Sequence, residues 1–73
     1  MPTQIVMDLN GDTRYDFNAK DAKALSEAER RFKDLTGTGF TAATRAADGT
    51  PLIARAFDPT AEETLFFPRL VGG

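Results

Sequence analysis

Residues 22–35 read AKALSEAERRFKDL, and the spacing of their apolar members decides how the middle of the chain folds. An amphipathic helix carries an apolar residue on its buried face at every third or fourth position. That spacing is met by Ala22, Leu25, Ala28, Phe32 and Leu35. The charged residues lie between these positions and fall on the opposite face. We therefore expect one helix that packs this apolar face against another layer of the molecule.

Residues on either side of this stretch are typical of helix caps. At the start, Asn18 with Asp21 three residues later is one candidate. The alternative is a capping box formed by Ser26 and Glu29. At the end, Gly37 is expected in the left-handed conformation that closes a helix.

Before the helix, the sequence predicts a β-hairpin. Ile5, Met7 and Leu9 alternate with Val6 and Asp8, and after Asn10-Gly11 a second alternating run follows over residues 13–17. A two-residue Asn10-Gly11 loop would set charged side chains opposite the apolar ones of the first strand. We therefore expect a three-residue loop with Gly11 in the left-handed conformation, which brings Ile5 near Tyr15.

After the helix, the sequence predicts a second hairpin and a last strand. Small and β-branched residues fill 40–47, a turn follows at Asp48-Gly49, and residues 52–57 are typical of another strand. Asp58-Pro59 favours a single helical turn over residues 60–63. Leu65-Phe66-Phe67 is the last apolar run, and Pro68 ends it.

Two hairpins around one helix predict an α+β fold of the β-grasp type, with a mixed four- or five-stranded sheet and the helix packed across one face. The first and last strands should lie side by side and parallel in the middle of the sheet. The expected core contains the sheet residues Ile5, Met7, Leu65 and Phe67 and the helix residues Leu25, Phe32 and Leu35. Phe57 and Phe66 are also expected to be mostly buried, although one of the adjacent Phe66 and Phe67 must face the other side of the sheet. We expect one domain over residues 1–68 and a flexible tail over residues 69–73.

The composition excludes several kinds of catalytic and metal-binding site. The 73 residues include no Cys and no His, which excludes a disulfide framework, a thiolate nucleophile and the commonest metal ligands and general base. We expect no metal site. Nine basic and eleven acidic residues give a net charge of −2, which disfavours nucleic acid as a partner. Neither a signal peptide nor an apolar run long enough to span a membrane is evident, so a cytoplasmic protein is expected.

The tail carries the main functional signal. Arg69, Leu70 and Val71 follow Pro68, and the chain closes with Gly72 and Gly73. A Gly-Gly carboxylate has no Cβ and can be threaded into a narrow active site. Such a carboxylate must be activated before it can acylate anything, and adenylation by ATP with magnesium is the usual route. This pattern indicates chemistry done on the protein rather than by it.

The run TLFFPRLVGG at residues 64–73 resembles the tails of the ubiquitin-like family, including its bacterial sulfur-carrier branch. Its FFP and closing GG look like the small subunit of molybdopterin synthase, and Arg69-Leu70 looks like the Arg-Leu of ubiquitin's ending. Val71 stands where ubiquitin has a second arginine. The resemblance implies that Gly73 is adenylated by an activating enzyme and that Arg69 helps this enzyme to choose its substrate.

We therefore expect a bacterial-type protein modifier, not an enzyme, with no bound cofactor. Gly73 would pass as a thioester to an enzyme cysteine and then to a target protein, with Arg69, Leu70, Val71 and Gly72 as the threading tail. The implied partners are an activating enzyme that uses ATP and magnesium, a conjugating enzyme, a processing or deconjugating peptidase and the target. The alternatives are a sulfur carrier with a terminal thiocarboxylate and an interaction module whose tail does not react. No membrane partner is expected.

Other motifs have simpler explanations. Residues 37–42, GTGFTA, fit the letters of a dinucleotide fingerprint but follow a helix instead of a strand, so they are interpreted as a helix stop. The carboxylates of the first hairpin resemble a calcium loop only in part, because Ala19 stands where the closing Glu would be. The basic residues Arg30, Arg31 and Lys33 share their helix with acidic ones and are interpreted as a solvated face.

Overall fold

A computed structural model describes residues 1–45 and 48–69. Five strands and one helix follow each other along the chain: β1 (Thr3–Asp8), β2 (Gly11–Asp16), α1 (Ala22–Gly37), β3 (Phe40–Arg45), β4 (Pro51–Ile53) and β5 (Glu63–Pro68). The strands form one sheet in the order β2-β1-β5-β3-β4. β1 and β5 are parallel neighbours, and the other pairs are antiparallel. The predicted α+β class and the parallel pairing of the first and last strands are confirmed.

The helix begins and ends at residues other than those predicted. Asp21 itself is the N-cap, because its Oδ1 accepts hydrogen bonds from the backbone N–H groups of Lys23 and Ala24 at 3.0 and 3.5 Å. Asn18 instead closes the preceding turn, and Ser26 lies inside α1. Gly37 is the last helical residue, and the positive φ occurs at Gly39.

The helix packs on the face of the sheet opposite to the one predicted. The buried cluster consists of Val6, Phe32, Ala42 and Phe66, and the rings of Phe32 and Phe66 meet edge to face at a centroid distance of 5.7 Å. Successive side chains of a strand point to opposite faces. Ile5, Met7, Leu65 and Phe67 therefore lie on the face turned away from α1, and their predicted contact with the helix is wrong. Both β1 and β5 carry apolar residues on both faces, so alternation alone could not choose between them.

Phe57, which follows β4, packs against the core. The Phe57 ring lies 6.1 Å from that of Phe32 and 6.3 Å from that of Phe17, measured between centroids. The expected burial of Phe32 and Phe66 is confirmed, and Phe57 packs against the cluster while half-buried.

The first hairpin has a two-residue loop of Leu9 and Asn10. Asp8 pairs with Gly11 and Ile5 with Arg14, so the predicted three-residue loop is wrong. The Asp8 carboxylate accepts the Asn10 N–H at 2.8 Å and stabilises this tight turn. Charges opposite Ile5 are tolerated because this face of the sheet does not lie under α1.

Two further elements differ from the prediction. β4 is short because the chain bends after Ala54, whose N–H still donates to the Ala42 carbonyl oxygen at 2.8 Å. The helical turn predicted over residues 60–63 is a simple turn in which Asp58 Oδ1 accepts from the Thr60 N–H and hydroxyl at 2.9 and 2.6 Å. β5 then begins at Glu63, which pairs with Thr3. Ala46 and Ala47, at the end of the predicted third strand, lie outside the described residues.

Within residues 1–45 and 48–69, no helix has both the length and the apolar character that crossing a membrane requires.

Candidate functional site

The backbone is fixed as far as Arg69, the first residue beyond β5. The Arg69 N–H donates to the Gly39 carbonyl oxygen at 2.8 Å, which extends the pairing of β5 with β3. Gly39 has a φ of 104°, a value that L side chains rarely adopt, so glycine is suited to the turn between α1 and β3. The Arg69 side chain is exposed. The strand that leads to the tail is thus the central one, held by a neighbour on each side.

Arg69 is the one predicted site residue that the structure describes. Leu70, Val71, Gly72 and Gly73 lie outside the described residues, so their predicted roles stay predictions.

A groove of about 440 Å³ lies beside Arg69. Phe40 and Ile53 contribute apolar surface, and Arg55 and Arg69 contribute positive charge. Sequence reasoning did not identify Arg55, because a single arginine between two alanines carries no motif. Only the antiparallel pairing of β3 with both β4 and β5 brings Arg55 and Arg69 to the same end of the sheet.

The face of the sheet turned away from α1 has a row of four apolar residues across its centre, which ends at Arg14 on β2. The pairing registers align Arg14, Ile5, Leu65, Ala43 and Ile53 across all five strands. Ile5 and Leu65 are half-buried, and Ile53 at the sheet edge is 64% exposed. Phe67 also lies on this face while Phe66 is enclosed, which confirms that the two adjacent rings face opposite sides.

Polar groups beside this row are paired with each other. The Thr3 hydroxyl donates to Asp16 Oδ1 at 2.7 Å and links β1 to β2. This hydrogen bond is the main cause that lowers the pKa of Asp16, and Arg14 contributes further. Arg45 Nε donates to Glu63 Oε1 at 2.7 Å and links β3 to β5. These carboxylates therefore have structural partners already.

A polar cluster around the buried Gln4 joins the helix to the sheet, and sequence reasoning did not identify it. The fully buried Gln4 side chain donates through Nε2 to the Ala28 carbonyl oxygen at 2.9 Å. Its Oε1 accepts from Arg31 Nη1 at 2.7 Å, and the Arg31 guanidinium lies 3.9 Å from the centroid of the Tyr15 ring. Arg31 is half-buried, so its assignment to a solvated face is wrong. Lys33 and Arg30 are exposed as predicted.

Charged residues elsewhere serve local structure. Hydrogen bonds from the Thr60 hydroxyl and N–H lower the pKa of Asp58, and bonds from Thr50 lower that of Asp48. Among residues 1–45 and 48–69, no three His, Cys, Asp or Glu side chains are grouped so as to hold a metal ion.

No known family model, curated protein or solved structure matches this chain.

Proposed function

We propose that this chain is a ubiquitin-like modifier whose Gly73 carboxylate is activated by an ATP-dependent enzyme and joined to a target protein. The observation that carries the proposal is the run RLVGG directly after β5. β5 is the central strand and parallel to β1, an arrangement compatible with a β-grasp. Because β5 is held on both sides, the residue at which the tail begins has a fixed position that a partner enzyme can recognise.

The chemistry follows from the carboxylate. Its oxygen attacks the α-phosphorus of ATP, which forms an acyl adenylate and releases pyrophosphate. An enzyme thiolate then attacks the acyl carbon and releases AMP, so Gly73 becomes a thioester. A lysine amine of the target attacks the same carbon, which forms an amide and returns the thiol. This chain supplies the electrophile, and the enzyme supplies the magnesium and the cysteine.

A sulfur carrier is the second candidate, supported by the run Phe66-Phe67-Pro68, which resembles the molybdopterin-synthase small subunit. In that case hydrosulfide attacks the acyl carbon of the adenylate, releases AMP and leaves a terminal thiocarboxylate. An interaction module with an unreacted tail is the third.

Intact mass spectrometry of the chain after incubation with a candidate activating enzyme, ATP and magnesium tests the proposal. A thiol-sensitive adduct with the enzyme, or a conjugate, supports the modifier. In a second sample that also contains a sulfide donor, a mass gain equal to the replacement of one oxygen by sulfur supports the carrier instead.

Two variants make the test specific. A chain that lacks Gly72 and Gly73 should show no ATP-dependent change. The matched control is Gly37→Ala, because this glycine is helical, distant from the tail in sequence and has open space around an added Cβ. The control should react like the unmodified chain. If every chain with an intact Gly73 stays unchanged while the enzyme activates its own known substrate, the enzyme does not act on this chain.

A further inference from the structure

The groove beside Arg69 has a charge opposite to that of the whole chain. The protein has a net charge of −2, yet Arg55 and Arg69 line this groove and no Asp or Glu among the described residues does. The ion pairs found within residues 1–45 and 48–69 use Arg14, Lys33 and Arg45. Arg55 and Arg69 therefore have no carboxylate partner in the described part of the chain.

Backbone hydrogen bonds place the two arginines on either side of the start of β3. The Arg69 N–H is bonded to Gly39 on one side, and Ala54, the neighbour of Arg55, is bonded to Ala42 on the other. Both bonds are 2.8 Å long. The sheet thus holds the backbone of Arg69 and that of Ala54, the residue before Arg55. The long exposed side chains of both arginines keep the freedom to form bidentate contacts with a carboxylate.

The groove also has apolar lining residues. Ile53 is 64% exposed at the edge of the sheet, and Phe40 is half-buried against the core. A nucleic-acid strand would need more phosphate contacts than two arginines provide. A peptide with alternating acidic and apolar residues matches both the charge and the apolar surface.

We propose that this groove binds an acidic, apolar segment of a partner protein. The groove lies beside Arg69, where the tail begins, so the partner would be the activating enzyme. This identification of the partner rests on the proposed function. The chemistry of the groove does not depend on it. Arg55 then contributes to substrate choice together with Arg69.

Binding can be measured without the enzyme. The probe is the peptide Ac-Asp-Leu-Glu-Phe-Asp-Leu-NH₂, titrated to millimolar concentration into the ¹⁵N-labelled full chain and followed by amide chemical shifts. We expect saturable shifts at Phe40, Thr41, Ile53, Arg55 and Arg69. A matched peptide with Lys at every acidic position should cause none there. Arg55→Glu should weaken binding of the acidic peptide by about tenfold or more, since a charge-assisted hydrogen bond is replaced by repulsion.

Arg30→Glu is the matched control, because Arg30 is an exposed arginine of α1 that does not line this groove. It changes the net charge equally and should leave binding within about twofold. Equal weakening by both variants would show an effect of net charge alone and overturn the proposal. Absence of saturable shifts at the groove would overturn it as well.

Other occupants give distinct results. Concentration-dependent shifts of groove amides without peptide would assign the groove to a second copy. Tighter peptide binding by a chain that ends at Arg69 would assign it to the chain's own tail. Stronger binding of a single-stranded oligonucleotide than of the peptide would assign it to nucleic acid. Each of these results would overturn the proposal.

An activation assay distinguishes failure of the groove from failure of the function. If the unmodified chain is activated, Arg55→Glu should raise KM for the protein about tenfold with kcat unchanged. Activation with the same KM for both chains would contradict the proposed role of the groove and leave the proposed function intact. Peptide binding at the groove without activation would support the groove and contradict the proposed function.

Discussion

Two glycines near the end of α1 differ in what an added methyl group does. Gly37 is helical with open space around its Cβ position, so Gly37→Ala should raise the free energy of unfolding by roughly 0.5–1 kcal/mol. Gly39 has a φ of 104°, so Gly39→Ala should lower it by about 1–2 kcal/mol. Urea unfolding of both variants measures the difference. If Gly37→Ala also destabilises the protein, α1 ends before Gly37 and the left-handed conformation predicted there is correct.

The adjacent rings of Phe66 and Phe67 test which face of the sheet is buried. Phe66 is fully enclosed, so Phe66→Ala should lower the free energy of unfolding by about 3–5 kcal/mol. Phe67 is half-buried on the other face, and Phe67→Ala should cost about 1 kcal/mol. Phe66→Leu provides a milder variant in case the alanine form does not fold. Thermal or urea unfolding measures both losses. The observed core would be contradicted if Phe67→Ala lowered the free energy of unfolding as much as Phe66→Ala, or more.

At the scale of elements, Gln4 joins β1 to α1. Gln4→Ala removes the donor to Ala28 and leaves the half-buried Arg31 without its acceptor. Unsatisfied buried polar groups cost about 1–3 kcal/mol, and we expect a loss of that size in urea unfolding. Arg30→Ala is the neighbouring control, since Arg30 is exposed, and it should change stability by less than about 0.5 kcal/mol. A Gln4→Ala variant as stable as this control would show that the cluster does not hold the helix to the sheet.

The link between β1 and β2 predicts a dependence on pH. The Thr3 hydroxyl is the main cause of the lowered pKa of Asp16, whose ordinary value is 3.8. A carboxyl with a lowered pKa in the folded state stabilises the fold above its unfolded pKa and loses that contribution as pH falls through the folded pKa. Thr3→Val should therefore raise the pKa of Asp16 towards 3.8 and weaken the acid-side pH dependence of stability.

Carboxyl ¹³C NMR titration of both chains measures this shift. Thr60→Val is the parallel control, because it should raise the pKa of Asp58 and leave that of Asp16 where it is. An Asp16 pKa that is the same with and without the Thr3 hydroxyl would contradict the assigned cause.

The elements differ in how far the sequence predicts them. The helix was predictable because one strong apolar period runs from Ala22 to Leu35. The face that β1 and β5 present to the helix was not, because Ile5, Val6 and Met7 are all apolar and alternation then carries no information. The predicted three-residue loop is wrong for the same reason, because it requires Ile5 to face the core.

At the scale of the whole molecule, the strand order followed from the sequence of elements, whereas the groove did not. Two hairpins, one helix and a last strand leave few ways to complete a sheet, and the parallel pair of β1 and β5 is one of them. Arg55 and Arg69 are separated in sequence by the turns after β4 and by the whole of β5, and only tertiary pairing brings them together. The role of the tail stays a prediction from the sequence alone, and it rests on the chemistry of residues 69–73 and not on packing.

The central claim is that the Gly73 carboxylate becomes joined to other proteins. Trypsin cleaves after Arg69, so any conjugate must leave Leu-Val-Gly-Gly attached to a lysine of the target. Proteomic mass spectrometry of cells that naturally express the chain can detect this remnant directly. We predict lysines that carry it, and their loss when the gene encodes a chain lacking Gly72 and Gly73. An expressed, folded chain that leaves no such remnant and whose C-terminal carboxylate is always free would contradict the account.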